Sequence, residues 1–254
     1  MNNILGNPRI ELSYLIDADE ERWNLVKSAL PLKGIKFCKP EDAAIVFEDK
    51  NVDGVIIATP TYTHTELIKS ALKAGKAVFS EKPIAENVQD TIECYDVAEK
   101  VKQPLLCAFN RRFDPTFGNV YKRVREGNYS VFLSMPHFYR KNQSDFECLH
   151  LILSHCLGEV GHVQQIKMIS RDSPLPGLAY LKISGGIYHD CAVHDIDLMT
   201  WILGEYPSEV YSCANAQIPD IKEIDDFDNL VCTLRFPSGN LTFISKAMRI
   251  LHFI

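Results

Sequence analysis

From Ile10 to about Lys102, short apolar runs alternate with amphipathic stretches, a rhythm that predicts β-α units laid on a parallel sheet. Ile10 to Ile16 reads as a strand closed by Asp17. Asp19 to Leu30 reads as a helix whose acidic first turn suits the positive end of its dipole. Val52 to Ala58 is the next strand, and Thr59-Pro60-Thr61-Tyr62-Thr63-His64 turns the chain into a helix that ends at Gly75, a residue fitted to the left-handed position after a C-terminus. Lys76 to Phe79 is again a strand. Ile92, Tyr95, Val97, Ala98 and Val101 recur at helical spacing between Asn87 and Lys102, ahead of a short strand from Leu105 to Phe109.

Beyond Asn110 the pattern changes. Gly185-Gly186 opens a stretch through Asp190, His194 and Asp197 that reads as a helix. Strand-like runs follow at Glu209 to Ala214, Asn229 to Phe236 and Leu241 to Ser245. Pro237-Ser238-Gly239-Asn240 joins the last two as a hairpin, so an antiparallel sheet is expected here. A boundary near Asn110 then separates a first domain, residues 1–109, from an α+β second domain, residues 110–254.

Composition narrows the class of protein. The chain has 254 residues, 46% of them apolar and 24% charged, which is ordinary for a globular protein. A formal charge of −6 argues against a nucleic-acid partner, which would call for clustered Lys and Arg; Lys122-Arg123-Val124-Arg125 reads as a solvated helix face. No signal-like leader and no apolar run of about 18 residues is present, so no membrane partner is expected and a cytoplasmic protein is. The eight cysteines are scattered through apolar segments without CxxC spacing, and are expected as buried thiols.

Two clusters carry chemistry. Asp190 and His194 stand at i and i+4 of the expected helix, which puts a carboxylate and an imidazole on one face. Glu81-Lys82-Pro83 follows the apolar Ala77-Val78-Phe79, placing a lysine at a strand's carboxyl end, where open α/β sheets bind ligands. Lysine, aspartate and histidine together suggest proton transfer. A metal site is the competing chemistry, but no third ligand at metal-binding spacing accompanies the pair, so none is expected.

These motifs and their order resemble the Gfo/Idh/MocA oxidoreductases, and within them the members that act on inositols. The resemblance implies hydride transfer from a secondary alcohol of a small cyclic polyol, such as myo-inositol, to NAD, with NADP the less favoured cofactor. It implies catalytic roles for Lys82, Asp190 and His194: His194 as the base, Lys82 stabilising the alkoxide, Asp190 fixing their geometry. It implies cofactor contacts from Asp17, from Thr59, Pro60, Thr61 and His64, and from Glu81, Lys82 and Pro83. Arg112, in Asn110-Arg111-Arg112-Phe113-Asp114, falls in the family's linker segment near the substrate and with His194 is expected at the substrate. A homo-oligomer through the open face of the second domain's sheet is also implied. On position alone Asp17 is equally a solvated strand end, and the Thr59 turn taken alone reads better as a turn with a helix cap.

The chain departs from the family in three places. It contains no G-x-G-x-x-G turn, and its opening residues resemble the end of the family's first helix. The first domain is therefore expected as an incomplete Rossmann-like parallel sheet lacking its first strand, the central one in the fold's order. Its flanking strands then keep unpaired edges or meet each other. The stretch 128–157 matches no part of the family and suits no loop, and is read as an atypical insertion such as a retained intron. The chain also ends short of the family's final strands. An inactive pseudoenzyme or interaction subunit is the alternative to a working dehydrogenase.

Overall fold

The computed structural model describes residues 2–32, 34–126, 133–142, 145–154 and 163–248. The chain divides into two compact units, Met1–Ala108 and Phe109–Ile254.

The first unit begins with a short helix α1 (Asn2–Leu5). It continues through β1 (Tyr14–Ile16), α2 (Glu20–Ala29), β2 (Lys36–Cys38), α3 (Ala43–Glu48), β3 (Gly54–Ile57), α4 (His64–Lys73), β4 (Ala77–Ser80), α5 (Val88–Val101) and β5 (Leu105–Cys107). Local chemistry sets the helix ends. Asp19 caps α2 by accepting from the Glu21 N–H at 2.9 Å, and Asn87 caps α5 by accepting from the Asp90 N–H at 2.8 Å. At the end of α4, Gly75 takes φ +80°; its N–H bonds Leu72 O at 2.9 Å while the Lys76 N–H bonds Ala71 O at 3.0 Å. That pair is the Schellman arrangement, and it turns the chain directly into β4.

All strand pairings in this unit are parallel, but they fall into two pieces. β1 pairs with β2, and β3-β4-β5 form a separate three-stranded sheet. The flanking strands do not meet: among the described residues β1 and β3 each have one free edge. The inward residues Ile57 and Val78 pack with Ile68, Leu72 and Cys94 from α4 and α5. On the opposite face, Ile56, Phe79 and Leu106 lie in one register row and stay exposed. A parallel sheet ordinarily has helices on both faces, so this one is uncovered as well as divided. The strands are shorter than the apolar runs suggested, and β2 and α3 come from segments whose patterns had marked neither.

The second unit contains α6 (Pro115–Glu126), β6 (Leu133–Asn142), β7 (Asp145–Ser154), β8 (Gln165–Asp172), α7 (Leu178–Leu181), a π-helix (Ile187–Ala192), α8 (Val193–Leu203), β9 (Glu209–Asn215), α9 (Pro219–Glu223), β10 (Asn229–Arg235) and β11 (Leu241–Met248). The strands form one six-stranded sheet in the order β6-β7-β8-β11-β10-β9. Every pairing is antiparallel except β8 with β11, so the sheet is mostly antiparallel. The expected hairpin joins β10 and β11, with Gly239 at φ +88°.

One sheet face carries the core: Ile166 and Met168 of β8, Leu230 and Leu234 of β10 and Ile244 of β11 pack with Leu198, Met199 and Ile202 of α8 and Phe117 and Val120 of α6. Tyr121 and Trp201 stack at 4.1 Å between ring centroids, joining α6 to α8. The far end of α8 is closed by Arg125, whose Nη1 donates to Leu203 O at 3.1 Å; Lys122, Arg123 and Arg125 are exposed on α6, as expected of a solvated face. Most of the stretch 128–157, which had suited no loop, lies in β6 and β7. Their backbones pair from Leu133–Leu153 to Asn142–Asp145, and β7 pairs with β8.

The β7 pairing makes β8 an interior strand. Replacing residues 133–154 by a short linker should turn β8 into an edge and accelerate amide exchange along Gln165–Asp172, leaving the amides of α8 unchanged. Unaltered exchange in β8, read by mass spectrometry, would show that the hairpin does not pair in solution.

Candidate active site

In the first unit the candidate residues gather at the carboxyl ends of the parallel strands. Asp17 follows β1, where its N–H bonds Cys38 O at 3.3 Å and its Oδ1 accepts from the Asp19 N–H at 2.9 Å. Arg22 lies 3.9 Å from its other oxygen. Thr59 and Pro60 follow β3 and are exposed, and Thr61 is half-buried. The Thr63 hydroxyl donates to Pro60 O at 2.8 Å, which makes Thr59 the donor in the 2.6 Å contact between the two threonine hydroxyls.

His64 plays a different part from the one its motif suggested. It is only 1% exposed, and its ring lies between two backbone carbonyls, Pro83 O at 2.8 Å from Nδ1 and Thr59 O at 2.9 Å from Nε2. Buried and engaged at both nitrogens, it ties the loop after β3 to the loop after β4. Both partners are acceptors, so the imidazolium makes the two bonds together and the neutral ring donates to one. Glu81 continues the strand-end pattern by donating its N–H to Ile57 O at 2.8 Å. Lys82 is half-buried, and its peptide bond to Pro83 is cis.

In the second unit Asp190 and His194 do not share a regular α-helix. Asp190 sits in the π-helix, whose wider turn closes with the Val193 N–H on Tyr188 O, and His194 sits in the first turn of α8. π turns recur at functional sites, and this one resets the angular relation between the two side chains. The turn before it needs glycine. Gly186 has φ +78°, and a Cβ there would approach Asp226 Oδ1 to 2.6 Å. That oxygen accepts from the Ile187 N–H at 3.2 Å and anchors the start of the π-helix. His194 is half-buried, with the Phe109 ring edge-on at 6.3 Å.

The Asn110–Asp114 segment binds α8. Arg111 pairs with the fully buried Asp195, and Arg112 grips Asp197 with a two-pronged contact, its Nε donating to Oδ2 at 2.9 Å and its Nη2 to Oδ1. Arg112, expected at the substrate, therefore has its fork on a helix carboxylate. Lys246 of β11 is only 2% exposed, and its Nζ lies 3.3 Å from Asp172 Oδ2. Burial alone would lower its pKa. The carboxylates of Asp195 and Asp172, with Cys191, outweigh burial and the Arg111 charge and hold it above the ordinary value. Burial pushes the Cys191 thiol up, and its Sγ donates to Asp172 Oδ2 at 3.4 Å. Sequence reasoning missed Asp195, Asp226 and Lys246; the last two carry no motif and join the site only through the fold.

As chemistry, the second unit offers a half-buried imidazole beside a carboxylate, on a helix start fixed by buried ion pairs. The first unit offers an acidic residue after one strand and a lysine after another. No residues of the sequence form a glycine-rich cradle for a dinucleotide's phosphates.

The chain thus holds one parallel-sheet unit with polar groups at its strand ends and one α+β unit bearing an aspartate and a histidine, the two kinds of unit found in a family of nicotinamide-dependent oxidoreductases. The family model described as an oxidoreductase family with an NAD-binding Rossmann fold matches residues 1–109, and the GFO/IDH/MocA C-terminal domain matches residues 150–249. The chain belongs to the Gfo/Idh/MocA family. It is similar to the inositol 2-dehydrogenase of Rhizobium meliloti strain 1021, at 31% identity over 97% of this chain and 64% of that one. It is similar also to the myo-inositol 2-dehydrogenase of Thermotoga maritima, at 32% identity over 94% of this chain and 61% of that one. Among solved structures, a myo-inositol dehydrogenase from Corynebacterium glutamicum superposes with TM-score 0.77 at 27% identity, covering 98% of this chain and 64% of that one. The chain thus spans less than two thirds of the length of these relatives.

Because the folded pKa of Lys246 lies above its ordinary 10.5, its charge contributes stability in full below about pH 10.5 and loses it as pH climbs through the folded value. Lys246→Met should therefore cost roughly 3–5 kcal/mol, as breaking a buried ion pair does. Urea melts should give a constant difference from pH 7 to 10 that narrows only above that. A difference that vanished by pH 9 would place the lysine outside the pair.

Proposed function

We propose that the chain is built for NAD-dependent oxidation of a secondary alcohol on a small cyclic polyol, such as myo-inositol, to the ketone. The observation that carries the reading is the presence of Lys82 just after β4, of Asp190 in the π-helix and of His194 at the start of α8, in a chain whose relatives include inositol dehydrogenases. Residues 1–109 would serve the cofactor and residues 110–254 the substrate. The cofactor, when bound, accepts the hydride. His194 Nε2 or Nδ1 takes the hydroxyl proton, an imidazole being suited to that work near neutral pH. Lys82 Nζ stabilises the negative charge that develops on the substrate oxygen, and Asp190 steadies the imidazolium as it forms. Asp17 receives the adenosine ribose hydroxyls, which favours NAD over NADP.

Two further features go with this reading. Tyr211 and Val231 are exposed on one face of the strands β9 and β10, which supports a homo-oligomer formed through that face of the sheet. Among the described residues Cys38, Cys94, Cys107, Cys191, Cys213 and Cys232 form no disulfide, which supports a reducing, cytoplasmic setting.

A second reading is favoured by one observation: the unpaired edges of β1 and β3 and the lack of a phosphate cradle among these residues. On it, the chain is a cofactor-poor pseudoenzyme or interaction subunit. Calorimetric titration separates the two. The chain as it stands should bind NAD at millimolar strength or weaker, about −4 kcal/mol, and a version preceded by a strand and glycine-rich turn should bind far more tightly. Micromolar binding by the chain alone would remove the second reading.

Turnover with myo-inositol and NAD should accompany tight binding. In that form Lys82→Met should lower kcat by roughly 10²–10³, the usual loss of one donor to a developing oxyanion. His194→Ala should fall comparably but recover partly at high pH, where hydroxide replaces the base. Near-parental turnover in both variants would leave Asp190 and His194 as structural groups.

A further inference from the structure

Tyr180 lies on α7, a helix of only four residues, and no motif marks it. Its hydroxyl donates to Asp190 Oδ1 at 2.7 Å, ten residues along the chain. The reach is made possible by the two glycines between them. Gly185 takes φ +82° and Gly186 φ +78°, so the chain reverses and lays α7 beside the π-helix. The reversal is itself held: the Gly186 N–H bonds Ser184 Oγ at 3.2 Å, and Asp226 receives the Ile187 N–H.

We propose that Tyr180 is a positioning residue for the candidate site, its hydroxyl fixing the rotamer of the Asp190 carboxylate that steadies His194. The inference rests on the dehydrogenase reading and deepens it.

Packing does not account for the contact. Leu181, the next residue, is 2% exposed and anchors α7 in the core, whereas Tyr180 is 47% exposed. A half-exposed phenol adds little apolar burial, and a hydrogen bond to a carboxylate near solvent adds little to overall stability. What it does supply is direction. An aspartate has two side-chain torsions, and one charge-assisted bond from a rigid neighbour removes most of their freedom.

The donor is also dependable. Burial first, then the hydrogen bond and charge of Asp190, push the Tyr180 phenol well above its ordinary range, so it keeps its proton at any working pH. The other ionisable groups nearby are His189 and His194 on the same helical stretch, and Cys191, whose thiol faces the Asp172–Lys246 pair and is likewise pushed up by burial. Tyrosine and cysteine both stay neutral there. Asp190 thus meets a donor on the α7 side, with no competing negative charge from either group.

Tyr180→Phe tests the clamp, because it keeps the ring and removes one oxygen. In the purified full chain, the three-bond couplings of the Asp190 β-protons should report one rotamer for the parent and averaging for the variant, with melting temperatures alike. This measurement needs no turnover. An unchanged single rotamer would overturn the proposal. In kinetic assays, Tyr180→Phe should lower kcat about tenfold with KM for NAD unchanged, and should cost nothing further in an Asp190→Asn background. Equal losses in both backgrounds would also overturn it, since a merely structural tyrosine gives additive effects. If the version preceded by a strand and glycine-rich turn bound NAD tightly yet showed no turnover, while Asp190 still averaged in Tyr180→Phe, the dehydrogenase reading would fall and the clamp would stand.

Discussion

The second unit depends on the way α8 is held by charge. Asp195 and Asp197 are buried on a mostly apolar helix, and a buried carboxylate without a partner would cost several kcal/mol. Arg111 and Arg112 supply the partners from a segment far away in sequence. Lys246 and Asp172 extend the network to the sheet, so the helix is tied both to the chain's entry into this unit and to β8 and β11. Such pairs add little net stability compared with apolar packing. Their effect is to fix one register: a slip of α8 by one residue would strand two carboxylates, whereas a slip among Leu198, Met199 and Ile202 would only exchange one apolar contact for another. His194 stands between the π-helix and the first of these carboxylates, so its place is set by the same bonds.

Legibility in the sequence followed the physics of each signal. The β-α rhythm of the first unit and the hairpin from β10 to β11 were readable because apolar period and turn residues agree there. Strand β2 is three residues long and α3 six, too short for any period to show. The stretch 128–157 was read as an insertion because it matches no part of the family and suits no loop; no Asn-Gly or Asp-Gly pair marks a turn there and Pro136 interrupts the first strand's pattern, so its hairpin carried no local signal. Asp190 and His194 were found by their spacing, but spacing cannot reveal a π turn, since the sequence carries no separate signature for one extra residue in a helical turn. Tyr180 was invisible for a further reason. Its contact exists only because two successive glycines adopt positive φ, and nothing in a residue's own type announces a partner across such a turn.

The two units differ in how much each contains of what its architecture needs. In the second unit the helix carrying His194, the arginines that hold it and the turn that sets Asp190 all come from within Phe109–Ile254. The first unit has its strand ends but divides its parallel sheet, leaves the edges of β1 and β3 unpaired, and exposes the row Ile56, Phe79 and Leu106. An unpaired edge beside an uncovered face is where a strand followed by a helix would satisfy both needs, pairing the backbone and covering the row.

The same asymmetry bears on function. Much of a dinucleotide's affinity comes from backbone amides and a helix N-terminus at the pyrophosphate, whereas the ribose and nicotinamide contacts mainly orient it. On the proposed reading, Asp17 and Lys82 would belong to the orienting set. Groups that orient a ligand contribute to catalysis only when other contacts hold that ligand in place. The residues present therefore define what reaction the site would favour more firmly than they define how often the cofactor would occupy it. That is why the proposed proton chemistry of Asp190, on the π-helix, and His194, on α8, can be examined apart from cofactor binding.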